Sequence, residues 1–236
     1  MRPLAWVQFA VLAFCIWALG ELAANFPFPS PLIKPFLPPQ LRWPTDQVQL
    51  WIERDDIPSD FRNFFSRDPE RKIPPGPNWV SPADGKAGPT LHSGGKSYFV
   101  VNLTFWDVHV IRAPLAGVVT AIENEGTRTI GMQKETPEEQ AEDVYERGKD
   151  APVQKVITIH SDVGDAEVRM ITSYWASRLR VWVRVGQKVS KGDRLGRILA
   201  GSTAVFEIPG DIDFTPKPGV HVSGGSSIIY VESPIQ

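Results

Sequence analysis

The sequence predicts a mainly β domain preceded by an apolar helix at the N-terminus. From Val80 onward, short runs of β-branched and aromatic residues are separated by glycine and proline, a pattern typical of strands joined by tight turns. Residues 4–20 contain no charged residue, which indicates a helix in an apolar environment. Charged residues make up 22% and hydrophobic residues 42% of the chain, which are ordinary values for a folded protein.

Nine strands are predicted in the β-domain. They cover Ser97–Leu103, Val108–Arg112, Gly117–Glu123, Val153–His160, Glu167–Tyr174, Arg180–Val185, Arg194–Leu199, Ala204–Ile208 and Ser227–Glu232. Residues 134–150 are charged and lack a clear period, so we expect a solvated loop with a short helix there.

An internal repeat makes the prediction of the fold more specific. Residues 186–195 and 219–228 match at Gly, Val, Ser, Gly and a final apolar position. These turns, and Ala113–Val119 with them, resemble the hammerhead of biotinyl and lipoyl carrier barrels. We therefore expect a hammerhead or barrel-like β-domain with internal hairpin repeats. A carrier function is not expected, because the chain has no Met-Lys-Met segment.

The chain divides into three predicted parts. Residues 1–25 are interpreted as a membrane anchor helix with tryptophans near its ends, and a signal peptide with a poor cleavage site is the alternative. Residues 26–60 are expected to form a proline-rich connector and a short helix, with the helical pattern running over 45–66. Residues 61–236 form the main domain.

The composition argues against several classes of function. The formal net charge of −2 and the isoelectric point near 6.1 argue against nucleic acid as a partner. The single Cys15 excludes an intrachain disulfide, and the four histidines show no metal-ligand spacing. Chemistry is therefore expected from side chains, or from a cofactor made by the chain itself, without a metal.

The Gly201-Ser202 bond is the strongest chemical signal in the chain. Glycine has no Cβ, so its carbonyl is open to attack, and a serine hydroxyl becomes a nucleophile when a base takes its proton. Taken alone, the Gly-Ser-Thr segment predicts a β-turn. Taken with Asp84 and His109, it predicts a site in which the histidine activates Ser202 and the aspartate orients the histidine.

Four motifs in order, between about residues 61 and 232, resemble the phosphatidylserine decarboxylases, which are pyruvoyl enzymes that cut their own proenzyme. They are Arg-Asp-Pro-Glu-Arg from Arg67, Ser-Pro-x-Asp-Gly from Ser81, Asp-Val-His-Val-x-Arg-Ala-Pro from Asp107, and Gly-Ser-Thr from Gly201. The arginine of the third motif resembles the short, bacterial and archaeal-type members. The resemblance identifies residues 61–236 as a self-processing decarboxylase domain.

The resemblance also implies the chemistry. Ser202 would attack the Gly201 carbonyl and turn the amide into an ester, and elimination would release Gly201 as a new C-terminus and leave a dehydroalanine. Water would then hydrolyse the dehydroalanine, with loss of ammonia, to a pyruvoyl group at the start of a second chain. This carbonyl would form a Schiff base with the amine of phosphatidylserine and accept the electrons left when CO₂ departs, giving phosphatidylethanolamine. The implied partners are phosphatidylserine in the membrane and the two cleavage chains as a heterodimer, with a homo-oligomer left open. The expected location is the cell membrane, with the catalytic domain in the cytoplasm.

Each candidate residue has an alternative interpretation. His109 is the predicted base or a packed strand histidine, and Asp84 is its orienting acid or part of an ordinary Asp-Gly turn. Arg112 is the candidate for the substrate phosphate, with an ion pair to Asp107 as the alternative.

His160 and His221 are interpreted as structural. Two further functions stay open at this point. One is a non-catalytic hammerhead-barrel envelope or adaptor protein, and the other is a pyruvoyl decarboxylase acting on a soluble amino acid.

Overall fold

The computed structural model describes residues 3–25, 36, 48–50, 67–130, 137–173, 179–198 and 202–232. This part of the chain is mainly β, as predicted. Helix α1 covers Pro3–Asn25, helix α2 covers Pro137–Tyr145, and a short 3₁₀ turn follows at Gly148–Asp150.

The strands are numbered in the order in which they occur along the chain. They are Val48–Leu50 (β1), Arg67–Pro69 (β2), Asn78–Val80 (β3), Gly85–Ser93 (β4), Lys96–Leu103 (β5), Val110–Arg112 (β6), Gly117–Glu125 (β7), Gln154–Ser161 (β8), Gly164–Ile171 (β9), Leu179–Val181 (β10), Lys188–Val189 (β11), Arg194–Ile198 (β12), Ser202–Pro209 (β13), His221–Val222 (β14) and Ile228–Val231 (β15).

The main element is a curled, antiparallel sheet of eight strands in the order β11-β7-β8-β9-β13-β5-β4-β14. Smaller sheets pair β10-β12-β6 and β15-β3. The order of the main sheet is symmetric about its centre, because β9 and β13, β8 and β5, β7 and β4, and β11 and β14 occupy matching places. The strands therefore form two similar halves, which agrees with the internal repeat.

Hydrogen bonds where the two halves cross show the same symmetry. Val80 N donates to Pro114 O at 2.9 Å, and Arg112 N donates to Pro82 O at 2.8 Å. Val80 and Arg112 end β3 and β6, so each half donates the equivalent bond to the other. The sequence before β4 thus corresponds to the sequence before β7.

The repeated glycines also bind in equivalent ways. Gly186 N donates to Val119 O at 2.7 Å, and Gly219 N donates to Ala87 O at 2.8 Å. Both glycines have a positive φ, of 84° and 83°, which a residue with a side chain rarely adopts. The predicted repeat is therefore present, but the prediction that its copies are β-hairpins is wrong. The two strands of each copy pair in different sheets, β11 with β7 and β12 with β6 in one copy, β14 with β4 and β15 with β3 in the other.

The inner face of the curled sheet holds the larger apolar core. Phe99, Phe206 and Ile157 are fully buried there. Complete burial of a side chain of this kind contributes about 1.5–3 kcal/mol. A second cluster covers the outer face, where Val144 of α2 packs near Tyr98 and Val205. The short helix expected within 134–150 is present as α2. The expectation that this segment is solvated is wrong for Val144, which is buried against the sheet.

All nine predicted strands overlap observed ones, although Tyr174 and Leu199 lie outside the described residues. The short or interrupted strands β1, β2, β3, β4, β11 and β14 were not predicted. Strand β4 contains glycine and proline, and its pairing with β5 shifts register between Ala87 and Thr90, so its sequence lacks a regular period. The predicted helix over 45–66 is wrong at Val48–Leu50, which pair with β2, and residues 51–66 lie outside the described part.

Helix α1 is present where a helix was predicted. Its described side chains are largely exposed and include Phe9, at 66%, and Leu19, at 65% exposure. Among the residues that the structure describes, we find no helix with the length and apolarity needed to cross a membrane.

Candidate active site

Two of the predicted site residues, Asp84 and Ser202, lie at the same end of the main sheet. Ser202 begins β13 and pairs with Leu103, the last residue of β5. On the other side of β5, Lys86 near the start of β4 pairs with Asn102, and Asp84 immediately precedes that strand. Neighbouring strands lie about 5 Å apart, so Asp84 and the backbone of Ser202 are only two strand spacings from each other.

A glycine allows the close approach of β4 to β5 at this end. A Cβ on Gly85 would lie 2.4 Å from the backbone oxygen of Asn102, and Gly85 has a φ of +149°. Both conditions favour glycine over any other residue. The Asp-Gly pair therefore places the aspartate directly beside the sheet.

Asp84 is buried, and both of its carboxylate oxygens have partners. Arg71 donates to Oδ2 at 2.9 Å, and the backbone N–H of Gly224 donates to Oδ1 at 2.7 Å. Burial raises the pKa of Asp84, although Arg71 and the Gly224 bond act to lower it. The described contacts of Asp84 thus run to Arg71 and Gly224, and its role in orienting His109 stays a prediction.

His109 lies directly before β6 and is completely buried. Burial, followed by the nearby Arg67 cation, lowers the pKa of His109 to about 3. A hydrogen bond to the Asp107 backbone acts in the opposite direction. His109 is therefore neutral at neutral pH, which is the state that a general base requires.

The backbone also connects His109 to the chain that leads to Ser202. The carbonyl of His109 accepts the N–H of Ile198, the last residue of β12, at 3.0 Å. Four residues later Ser202 begins β13. The predicted cleavage bond therefore lies between Ile198, whose N–H is bound by His109, and β13, which is paired with β5. Gly201 lies outside the described residues, and only the backbone of Ser202 is described. Because Ser202 and Thr203 belong to β13, the β-turn alternative is wrong for these two residues.

The sequence analysis missed the position of His221. Its Nε2 lies 2.8 Å from Oδ1 of the buried Asp107, and His221 pairs with Lys86 across β14 and β4. The hydrogen bond to Asp107 raises the pKa of His221. Burial alone would raise the pKa of Asp107, but bonds from His221 and Thr104 lower it overall. The repeat contains a signal for this position, because the residue equivalent to His221 in the other copy is Lys188.

The segment from Arg67 to Arg71 contacts the residues on both sides of the site. Arg67 is fully buried and donates to the backbone oxygens of Trp106 and, at 2.9 Å, of Asp107. Burial lowers the pKa of Arg67 to about 9, against the attraction of Asp84 and Asp107. Together with the Arg71–Asp84 ion pair, these bonds tie the segment to both acids.

Arg112 is buried and bound within the protein. Its guanidinium donates to Asp68 at 2.5 Å and to the backbone oxygen of Gly192 at 2.8 Å. The alternative pairing with Asp107 is wrong, because Asp68 takes that place and Arg194 also binds Asp68. These contacts argue against a role for Arg112 in binding the substrate phosphate. His160 forms an exposed pair with Asp165 on the surface.

Two buried groups with shifted pKa values, Asp84 and His109, are typical of an enzyme site. Comparisons with known proteins identify the enzyme class. The sequence model of the family "Phosphatidylserine decarboxylase" matches residues 90–230. The chain therefore belongs to the phosphatidylserine decarboxylase family, and it is a decarboxylase.

Three relatives show the extent of the similarity, and each carries the name phosphatidylserine decarboxylase proenzyme. The protein from Solibacter usitatus is 34% identical over 167 residues, covering 70% of this chain and 76% of the relative. That from Symbiobacterium thermophilum is 30% identical over 178 residues, covering 72% and 78%. That from Streptomyces griseus is 30% identical over 164 residues, covering 69% and 70%.

Proposed function

We propose that this chain is a proenzyme that cuts itself between Gly201 and Ser202 and then converts phosphatidylserine to phosphatidylethanolamine with the pyruvoyl group so formed. The observation that carries the proposal is the position of Asp84 and His109 at the sheet end where Ser202 begins β13. The names of the relatives, all proenzymes, support both the reaction and the processing.

Maturation needs a base next to Ser202. The neutral His109 takes the hydroxyl proton, and the oxygen of Ser202 attacks the Gly201 carbonyl to give an ester. Burial keeps water away from this step, because Asp84 and His109 are both buried. The pyruvoyl group that Ser202 would become would supply a carbonyl to react with the substrate amine and accept the electron pair left by CO₂.

The position of β13 explains how the two products of cleavage stay together. This strand pairs with β5 over Ser202–Pro209 and with β9 over Thr203–Glu207, so it lies between two partners. The later strands β14 and β15 pair with β4 and β3 of the first chain. The cut therefore leaves a heterodimer in which the new N-terminus remains at the sheet end.

The exposed apolar surface of α1 supports association with the membrane that contains the substrate. The large apolar side chains between Trp6 and Leu19 are each more than half exposed. A helix that is apolar on all sides is stable in contact with lipid rather than water. We propose that α1 attaches the enzyme to the membrane. The cytoplasmic placement of the β-domain stays a prediction of the sequence.

The test is to express the full chain and determine the masses of its products after denaturing electrophoresis. We expect two chains, residues 1–201 and residues 202–236, the second with a pyruvoyl group in place of its first residue. Ser202→Ala should give one uncut, inactive chain. The matched control is Ser226→Ala, because Gly225-Ser226 is another Gly-Ser bond of this chain. It should be cut as in the wild type.

Decarboxylation is then measured with phosphatidylserine vesicles and with free serine. Release of CO₂ from the vesicles alone supports the proposed substrate, whereas release from free serine supports the soluble amino acid. An uncut wild-type chain without activity would overturn the proposal.

A further inference from the structure

Asp107 connects His221 to the turn between β5 and β6, which carries His109. Its Oδ1 contacts His221 on β14, while its Oδ2 accepts the backbone N–H and the hydroxyl of Thr104, each at 2.7 Å. Its backbone also hydrogen-bonds with His109, two residues further along the chain. The three groups therefore form one continuous chain of contacts, from β14 through the turn to the buried histidine.

The two halves of the fold differ at this point. The equivalent positions of the second half are Lys188 for His221 and Ala116 for Asp84, by the alignment of the repeats and of the segments before β4 and β7. Lys188 is exposed and pairs with Val118 on β7. A lysine thus fits this position of the repeat, while the half with the site has a histidine that faces an acid.

We propose that His221 is a positioning residue of the active site, which in its protonated form holds Asp107 and thereby the turn that carries His109. The inference rests on the proposed function, because it assigns a role in the same reaction. His221 does not touch the reacting atoms in this proposal. It acts through the Asp107 backbone on the orientation of the His109 ring, which in the matured enzyme protonates or positions the decarboxylated intermediate.

The surroundings of His221 favour its protonated form. Asp107 faces it from the turn between β5 and β6, Asp84 from the start of β4, and Arg71 from the segment after β2. Lys86 is its neighbour across the strand pair. The bond to Asp107 is the largest contribution and raises the pKa of His221, burial and Arg71 lower it, and the charges of the two acids raise it, so that the pKa is raised overall. The charge on His221 is lost as pH rises through this raised pKa, and the hold on Asp107 weakens with it.

The test compares pH profiles of decarboxylation by matured enzyme made from the full chain, with phosphatidylserine in detergent micelles. In the wild type, kcat should fall as pH rises through the pKa of His221. His109 does not contribute to this change, because its pKa of about 3 lies below the range. His221→Gln keeps an N–H donor without charge, so kcat should be about ten-fold lower at the acid end, the difference between a charged and a neutral hydrogen bond, and should not show the fall.

His221→Lys is the second variant, because it keeps a cation that stays charged to higher pH. It should retain activity where the wild type loses it. The matched control is His160→Gln. It removes an exposed contact, 2.7 Å long, between His160 and Asp165, which lies elsewhere on the surface. This variant should follow the wild-type profile.

The outcomes separate the two proposals. A His221→Gln profile that has the wild-type shape at a lower level indicates a merely structural residue and overturns the inference. A His221→Lys profile that falls in the same pH range as the wild type also overturns it. If the wild type is neither cut nor active, the proposed function fails, whatever the variants do.

Discussion

At the scale of single residues, burial shifts the pKa values of the acid and the base of the site in opposite directions, and both shifts favour the neutral form. It raises the pKa of Asp84 and lowers the pKa of His109, so in each case the neutral form is favoured. Arg71 and the backbone of Gly224 counteract this effect for Asp84. The site therefore depends on cations and N–H donors around Asp84, whereas His109 needs none to stay neutral.

The buried His109 should make the fold sensitive to acid. Its folded pKa of about 3 lies below the unfolded value of 6.5, so the unfolded chain takes up the proton first as pH falls. Stability is then lost below pH 6.5, by about 2 kcal/mol between pH 6.5 and 5. Urea unfolding of the uncut Ser202→Ala chain at pH 7 and 5 should show this loss. The same chain with His109→Gln should lack it, and an equal loss in both chains would contradict the assignment.

Asp84 should matter for maturation through its charge. Asp84→Asn removes the carboxylate and leaves Arg71, which is largely buried, without its partner. We expect the separation of the two chains to slow by about 10²-fold or more, the usual contribution of acid–base groups. The measurement is a time course of cleavage after cell-free synthesis. Asp165→Asn, in the exposed pair with His160, is the control and should keep the wild-type rate.

At the scale of elements, strand ends decide where the site lies. Strands β4, β5 and β13 end or begin together, and Gly85 permits this arrangement. The turn from β5 to β6 contributes Asp107 to the site, and the turn between β14 and β15 contributes Gly224. Small backbone changes at the start of β4 should therefore affect both stability and processing.

Gly85→Ala tests this dependence on a strand end. Its Cβ would meet a backbone oxygen at 2.4 Å, whereas a Cβ on Gly94, at the turn between β4 and β5, meets nothing within 4 Å. Both glycines have positive φ, so each alanine carries backbone strain of about 1 kcal/mol or more. The melting temperature should fall clearly further for Gly85→Ala, with slower chain separation. Equal effects of the two variants would show that the close approach is unimportant.

The sequence predicts the strands with regular composition and the chemical residues on them, but not the contacts between distant segments. Strand β5 is predictable because its centre, Tyr98–Val101, is β-branched or aromatic, whereas β4 contains glycine and proline and depends on β5 for its pairing. The motifs indicate Asp84, His109 and Ser202. They do not indicate that Asp68 binds Arg112, or that His221 contacts Asp107 across 114 positions of sequence, because such contacts form only when distant segments fold against each other.

At the scale of the whole molecule, a nearly symmetric fold carries an asymmetric site. The same sheet order and the same crossing bonds occur in both halves, but Ala116 stands where Asp84 lies in the other half. The carboxylate of Asp84, with its partner Arg71, therefore distinguishes the half that holds the site. Helix α2 covers both halves, because Val144 packs near Tyr98 and Val205 while its backbone oxygen accepts a hydrogen bond from the buried Arg169 at 2.6 Å.

The N-terminal helix should determine where the enzyme works rather than whether it works. Burying an exposed Phe or Leu of α1 in lipid is worth about 1.5–3 kcal/mol, and α1 offers several such side chains, including Phe9, Phe14 and Leu19. A chain lacking residues 1–25 should therefore lose flotation with phosphatidylserine vesicles on a density gradient. It should still be cut and still decarboxylate phosphatidylserine in detergent micelles, because Asp84, His109 and Ser202 lie in the β-domain. Full flotation of the shortened chain would show that the β-domain binds the membrane by itself and that α1 is not the attachment.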